Sequence, residues 1–192
     1  MAAVESTMLP LGTHAPAFKL ADPNGRLWGP SDFSDAPALL VMFICNHCPF
    51  VIHVRSELAA LTGEYMDKGV AVIAVQSNDA ERYPADAPNK MAEESATHGY
   101  RFPYVYDSTQ EVAHAYRAAC TPDFYLFDAK QSLVYRGQLD DSRPSNGKPV
   151  TGADLRAALD SLLSGGPPLS AQTPSIGCNI KWRPGTEPEY FG

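Results

Sequence analysis

The sequence predicts a mixed α/β fold, a central β-sheet flanked by helices. Two continuous apolar runs, "ALLVMFI" (38–44) and "VAVIAV" (70–75), are of the kind that a strand covered on both faces requires. Helical periodicity falls between and after them, and glycines and prolines mark the junctions. Strands alternating with helices imply right-handed crossovers, and a closing strand pair implies an antiparallel edge. With 192 residues and 44% hydrophobic side chains, one domain over 1–192 is expected, its core at about 10–165 and a proline-rich tail, 166–192, packed on it.

In chain order, "FKLADPNGRLW" (18–28) reads as an N-terminal β-hairpin extension about a Pro-Asn-Gly turn. The first buried strand follows. After Pro49, the residues Val51, Val54, Leu58 and Leu61 share one helical face, with Arg55, Glu57 and Glu64 on another, until "DKGV" stops the helix at a glycine. The second buried strand leads through a polar, proline-bearing loop, "DAERYPADAP", to an inserted helix, "NKMAEESATHG". Asn89 is its expected cap and Gly99 its stop. "FPYVYD" is the inserted strand and "TQEVAHAYRAA" a further helix. "CTPDFYLFDAKQSLVYRGQ" forms two strands about a tight turn, and "GADLRAALDSLLSG" is the final amphipathic helix. Beyond Gly166 no periodicity persists, so the tail is expected to be extended, anchored by Ile176, Ile180 and Trp182. "EE" at 93–94 and "DD" at 140–141 read as solvated faces or loop, and Trp28 and Trp182 as core.

A net charge of −7 without any Lys/Arg cluster argues against nucleic acid or an anionic membrane as the main partner. No basic start precedes an apolar segment, and no run reaches the roughly 18–20 apolar residues of a membrane span. A cytoplasmic location is therefore expected. Four cysteines in that reducing compartment are too few and too scattered for a stapled scaffold, and a close pair there is catalytic or metal-binding more often than structural.

That pair is Cys45 and Cys48, in "FICNHCPFV", where the first buried strand gives way to a helix. Dithiol exchange, zinc binding and structural crosslinking all use this spacing. Unpaired N–H groups and the dipole of a helix beginning here favour a thiolate, and Cys-x-x-Cys contexts lower a thiol pKa from about 8.5 to about 3.5–7.5. Cys45 is expected to be the attacking thiolate, Cys48 the resolving thiol one turn away, and His47 a stabiliser of the thiolate when protonated. Zinc wants four ligands, and no second Cys-x-x-Cys occurs; His47 or His53 with Cys178 would complete a site only if the tail folded back.

Four separated segments, "GTHAPAFKLADPNG", "FICNHCPFV", "CTPDFYLFD" and "IGCNIKWRPG", together resemble the thioredoxin superfamily, specifically its redoxin (AhpC/TSA-like, peroxiredoxin-like) branch. The resemblance implies a thioredoxin fold with an N-terminal extension and an extra helix and strand. It further implies that Thr121 and Pro122 form a cis-proline loop facing the dithiol, on which a substrate peptide adds as a strand. Departures are informative. The peroxidase pattern Pro-x-x-x-Thr/Ser-x-x-Cys, counted back from Cys48, meets Cys45 and Val41 instead, and the buried carboxylate of thioredoxin would fall near Leu39.

The expected function is thus thiol–disulfide exchange with an antioxidant role, on protein disulfide or dithiol clients or a small thiol or peroxide, with no diffusible cofactor and no metal. An atypical thiol peroxidase and a non-enzymatic metal- or protein-binding module are the alternatives. Cys120, beside the proline loop, and Cys178, in the tail, are candidate accessory thiols or simply buried anchors. His14, His53, His98 and His114 read as surface or packing residues.

Overall fold

The computed structural model describes residues 3–190. The ends of the expected 1–192 domain, residues 1–2 and 191–192, lie outside the described residues. In chain order the strands are β1 (Ala3–Glu5), β2 (Leu20–Ala21), β3 (Leu27–Trp28), β4 (Ala38–Phe43), β5 (Ala71–Gln76), β6 (Tyr104–Tyr106), β7 (Cys120–Thr121), β8 (Asp123–Asp128), β9 (Leu133–Gly137) and β10 (Ile176–Asn179). The α-helices are α1 (Pro49–Asp67), α2 (Pro88–His98), α3 (Glu111–Ala115) and α4 (Ala153–Leu163).

The main sheet has the order β6-β5-β4-β8-β9, with β4, β5 and β6 parallel and β8 and β9 antiparallel. Every residue of β4 and β5 is buried, which is why both read as unbroken apolar runs. Side chains alternate across a strand, so β4 feeds two cores. Leu40, Met42 and Ile44 pack with Val54, Leu58 and Leu61 of α1 and Leu155 and Leu159 of α4. Leu39, Val41 and Phe43 pack on the other face with Val75, Tyr116, Tyr125 and Phe127. This is the thioredoxin-like architecture expected, with the hairpin extension (β2-β3) and the inserted α2 and β6 present. None of the helices among the described residues is long and apolar enough to cross a membrane.

Several local expectations are corrected. Helix α2 starts at Pro88 with Ala87 as its cap, so Asn89 lies in the first turn instead of capping it; a proline fits the first helical position, where its missing N–H costs nothing. Gly99 ends the helix in the left-handed conformation. Helix α3 is only five residues long, because Gln110 and Arg117 take positive φ on either side of it. The Gln110 side chain donates to Ser77 O and Lys181 O and accepts from Arg183 N–H, a set of tertiary bonds that overrides helical propensity. Asp140 is buried, not solvated: its carboxylate accepts from the N–H groups of Ser142, Thr151 and Gly152. Trp182 is buried, whereas Trp28 is half-buried, stacked on Phe33 beneath the Arg26 guanidinium.

The largest departure is in the tail. Strand β10 forms a second sheet, β1-β10-β7, antiparallel throughout, with Ala3 opposite Cys178 on one side and Cys178 opposite Thr121 on the other. The N-terminal strand and the tail strand thus meet beside the cysteine pair.

Candidate active site

The carboxyl end of β4 delivers Ile44 and Cys45, a bend carries Asn46 and His47, and Cys48 is the N-cap of α1. The helix begins one residue after the second cysteine because Pro49 occupies its first position. Cys48, not Cys45, is thus the residue that directly adjoins the helix terminus. Both thiols are buried, Cys48 completely.

Three sulfurs meet here. The neighbouring thiols of Cys178 and Cys45 together outweigh the opposing effect of burial and hold the Cys48 pKa well below the usual thiol value. One acceptor works the other way, since Cys48 as a thiol donates to Thr121 O at 3.2 Å. Cys45 is held protonated by donating to Cys48, by burial and by the negative charge of Asp86. Cys178 is likewise pushed up by donating to Cys48 and by burial. The three thiols share one electrostatic neighbourhood, so ionisation of one opposes that of the others.

His47 Nδ1 lies 2.7 Å from Asp86 Oδ2, and its ring stacks on Tyr83 with centroids 5.6 Å apart. Asp86 has no exposed surface; its carboxylate also accepts from Asn46 N–H and from Asn78 Nδ2–H. This pairing raises the His47 pKa above the usual imidazole value although partial burial opposes it, and the nearby Cys48 charge adds to the rise. Tyr104, beneath the bend, donates to Asn46 Oδ1 and Ile44 O.

Across from the pair, the Thr121–Pro122 peptide is cis. Thr121 Oγ1 stands 3.4 Å from Cys45 Sγ while its carbonyl meets Cys48. The structure therefore brings together Cys45, Cys48, His47, Thr121, Pro122 and Cys178. Cys120 is left out of the cluster: its thiol points to Pro122 O and Ser175 O, and burial pushes its pKa up. His53 bonds Ser142 Oγ, away from the sulfurs.

Among the described residues, one group of candidate metal ligands stands close together: Cys45, His47 and Asp86, with ligating atoms within 4.8 Å of one another. His47 Nδ1 and Asp86 Oδ2, 2.7 Å apart, stand as an ion pair in which the ring N–H is not aimed at the carboxylate. Two such ligands of one tetrahedral zinc, with bonds of about 2.0–2.1 Å, stand about 3.3 Å apart. The arrangement suits proton and charge control of a thiolate better than metal capture.

Sequence reasoning missed Asp86, Tyr83 and Tyr104. Asp86 lies in the polar loop that follows β5, and the one available signal was positional, since loops beyond the carboxyl ends of such strands line the site.

A profile of the AhpC/TSA family matches residues 11–136. The crystal structure of an uncharacterized conserved protein from Geobacillus kaustophilus is similar at 58% identity, with a TM-score of 0.94 over 96% of this chain and 98% of the other. A hypothetical protein from Sinorhizobium meliloti is 52% identical, with a TM-score of 0.93 over 94% of this chain and 99% of the other. A putative thioredoxin from Neisseria meningitidis shares the fold at 21% identity and a TM-score of 0.60, over 78% of this chain and 89% of the other. No curated protein matches the chain.

Proposed function

The chain belongs to the AhpC/TSA family of thioredoxin-fold redoxins, and on that premise we propose that it is a thiol–disulfide oxidoreductase whose redox couple is Cys45 and Cys48. The observation that carries this reading is the meeting of the two sulfurs at the N-terminus of α1, opposite Thr121 and cis-Pro122.

The electrostatics favour a reversal of the two roles expected above. Cys48 caps α1 and so stands at the positive end of the helix, which makes it the attacking thiolate in this reading, with Cys45 the resolving thiol. The Cys48 thiolate attacks one sulfur of a client disulfide; a mixed disulfide forms and the client's other sulfur leaves as a thiolate. Cys45, giving up its proton, then attacks Cys48 Sγ, forms the Cys45–Cys48 disulfide and releases the second client thiol. Two electrons pass from the dithiol to the client, and the reverse sequence oxidises a client dithiol. His47, held by Asp86, stabilises the thiolate as an imidazolium. Clients are protein disulfides or small thiol compounds, consistent with neighbours such as the thiol:disulfide interchange protein of Chlorobium tepidum.

The test compares Cys45→Ser and Cys48→Ser with a disulfide-bonded protein client. Cys48→Ser should be inactive and Cys45→Ser should accumulate a mixed disulfide through Cys48. The opposite pattern returns the attacking role to Cys45; equal residual turnover in both removes the dithiol mechanism. A burst of sulfenic acid at Cys48 with micromolar peroxide would instead move the reading to a peroxidase.

A further inference from the structure

The dithiol reading leaves one thing unexplained: the strand position beside cis-Pro122 is already taken. Strand β10 of the same chain lies antiparallel on β7, with Cys178 opposite Thr121 and Asn179 opposite Cys120. The approach is so close that a Cβ on Gly177 would stand 2.0 Å from Thr121 O. Only glycine lets the strand close there.

The residue this strand presents to the dithiol is a cysteine. Cys178 is buried, and the residue opposite it, Thr121, touches Cys45 through its hydroxyl and Cys48 through its carbonyl. Strand β10 packs on α1, and Cys178 belongs to the same buried cluster as Cys45 and Cys48. A small cleft of about 20 Å³ beside the platform, walled by Phe50, Pro122, Ser175 and Ile176 among others, includes no cysteine.

We infer that β10 is an internal client, seated where an external peptide would add, and that Cys178 is a third redox thiol that pairs with Cys48. This rests on the dithiol reading. In the oxidised protein the Cys178 sulfur, having lost its proton, attacks Cys48 Sγ; the Cys48–Cys178 bond forms, the Cys45–Cys48 bond breaks, and Cys45 leaves as a thiolate that takes up the proton. No electrons are gained or lost, so the step is a rearrangement that needs no further oxidant. Once Cys48 is in a disulfide it no longer carries the charge that opposes ionisation of Cys178. The rearranged protein is closed: its tail is tied to α1 and Cys45 is reduced. A thiol reductant reopens it, and an external strand gains the platform only when β10 leaves.

The experiment is disulfide mapping of wild type, Cys45→Ser and Cys178→Ser, equilibrated in glutathione redox buffers, acid-quenched, alkylated and digested with trypsin. Cys45 and Cys48 fall in one peptide, 27–55, and Cys178 in another, 157–181, so a Cys48–Cys178 bond links two peptides whereas Cys45–Cys48 does not. The linked pair should appear in oxidised wild type and be the main oxidised species of Cys45→Ser, and Cys178→Ser should yield the 27–55 internal disulfide alone. Wild type that forms the internal disulfide while neither it nor Cys45→Ser ever links the two peptides overturns this inference and leaves the dithiol reading standing. Wild type that forms neither disulfide overturns both. A folding failure of Cys45→Ser leaves the decision with wild type, where the linked pair is either present or absent.

Discussion

The Nδ1 of His47 lies 2.7 Å from Oδ2 of Asp86, a carboxylate fully removed from solvent, one residue before the cysteine that caps α1. This pair gives the site its pH dependence. Because the folded-state pKa of His47 is raised, its contribution to stability is complete below the unfolded imidazole value of about 6.5 and is lost as pH rises through the raised value. Asp86→Asn should return the His47 titration, followed by NMR of the imidazole protons, toward 6.5. Exchange at neutral pH should slow, because less of the imidazole then carries the charge that stabilises the thiolate. An unchanged His47 titration in that variant would mean that Asp86 does not hold the imidazolium.

Asp123, next to cis-Pro122, is fully buried, and burial raises its pKa to about 7 although Tyr125 Oη–H, Ser6 Oγ–H and Phe124 N–H donate to it. Its stabilising effect is therefore full below about 3.8 and is lost as pH rises through about 7. Asp123→Asn should remove from the urea-unfolding profile a decline on the order of 4 kcal/mol between those limits. Parallel pH profiles for variant and wild type would show that the carboxyl is not the group responsible.

A methyl group at Gly177 cannot be accommodated against the Thr121 carbonyl. Gly177→Ala should lower stability by about 1–3 kcal/mol and speed alkylation of Cys48, because β10 must shift away from β7. Alkylation at the wild-type rate would show that the strand adjusts without uncovering the sulfurs.

Asp140 carries three backbone N–H groups in the turn that leads to α4. Asp140→Ala leaves these donors without an acceptor and should cost about 2–4 kcal/mol in urea unfolding, with part of it recovered in Asp140→Asn. A cost below that of an ordinary surface substitution would mean that water takes over the three donors.

The parts of the fold legible in the sequence are those whose signals are local. β4 and β5 declare themselves as apolar runs, and α1 and α4 as periodic faces, because each is buried by a pattern contained within its own residues. The cysteine pair and the proline loop were legible as motifs. What was not legible depends on distant partners. β1 and β10 are three and four residues long, and nothing in "AVE" or "IGCN" says that they pair with each other or with Cys120–Thr121. Asp86 reads as loop polarity until the fold sets it against His47 and the Asn46 amide, some 40 residues away in sequence. Which cysteine caps the helix turned on where Pro49 starts it, a shift of three residues that spacing alone leaves open.

The tail also finishes the border of the main sheet. β9 is the outermost strand, and just before β10 the chain runs along it: Gln138 N–H donates to Thr173 O, Arg136 N–H donates to Gln172 Oε1, and Gln172 Nε2–H donates to Val134 O. An uncovered border of this kind is a template on which another polypeptide can add. The segment that carries Cys178 to the thiols therefore also keeps copies of the molecule from joining edge to edge, and loosening it should make the protein self-associate, visible as light scattering that grows with concentration.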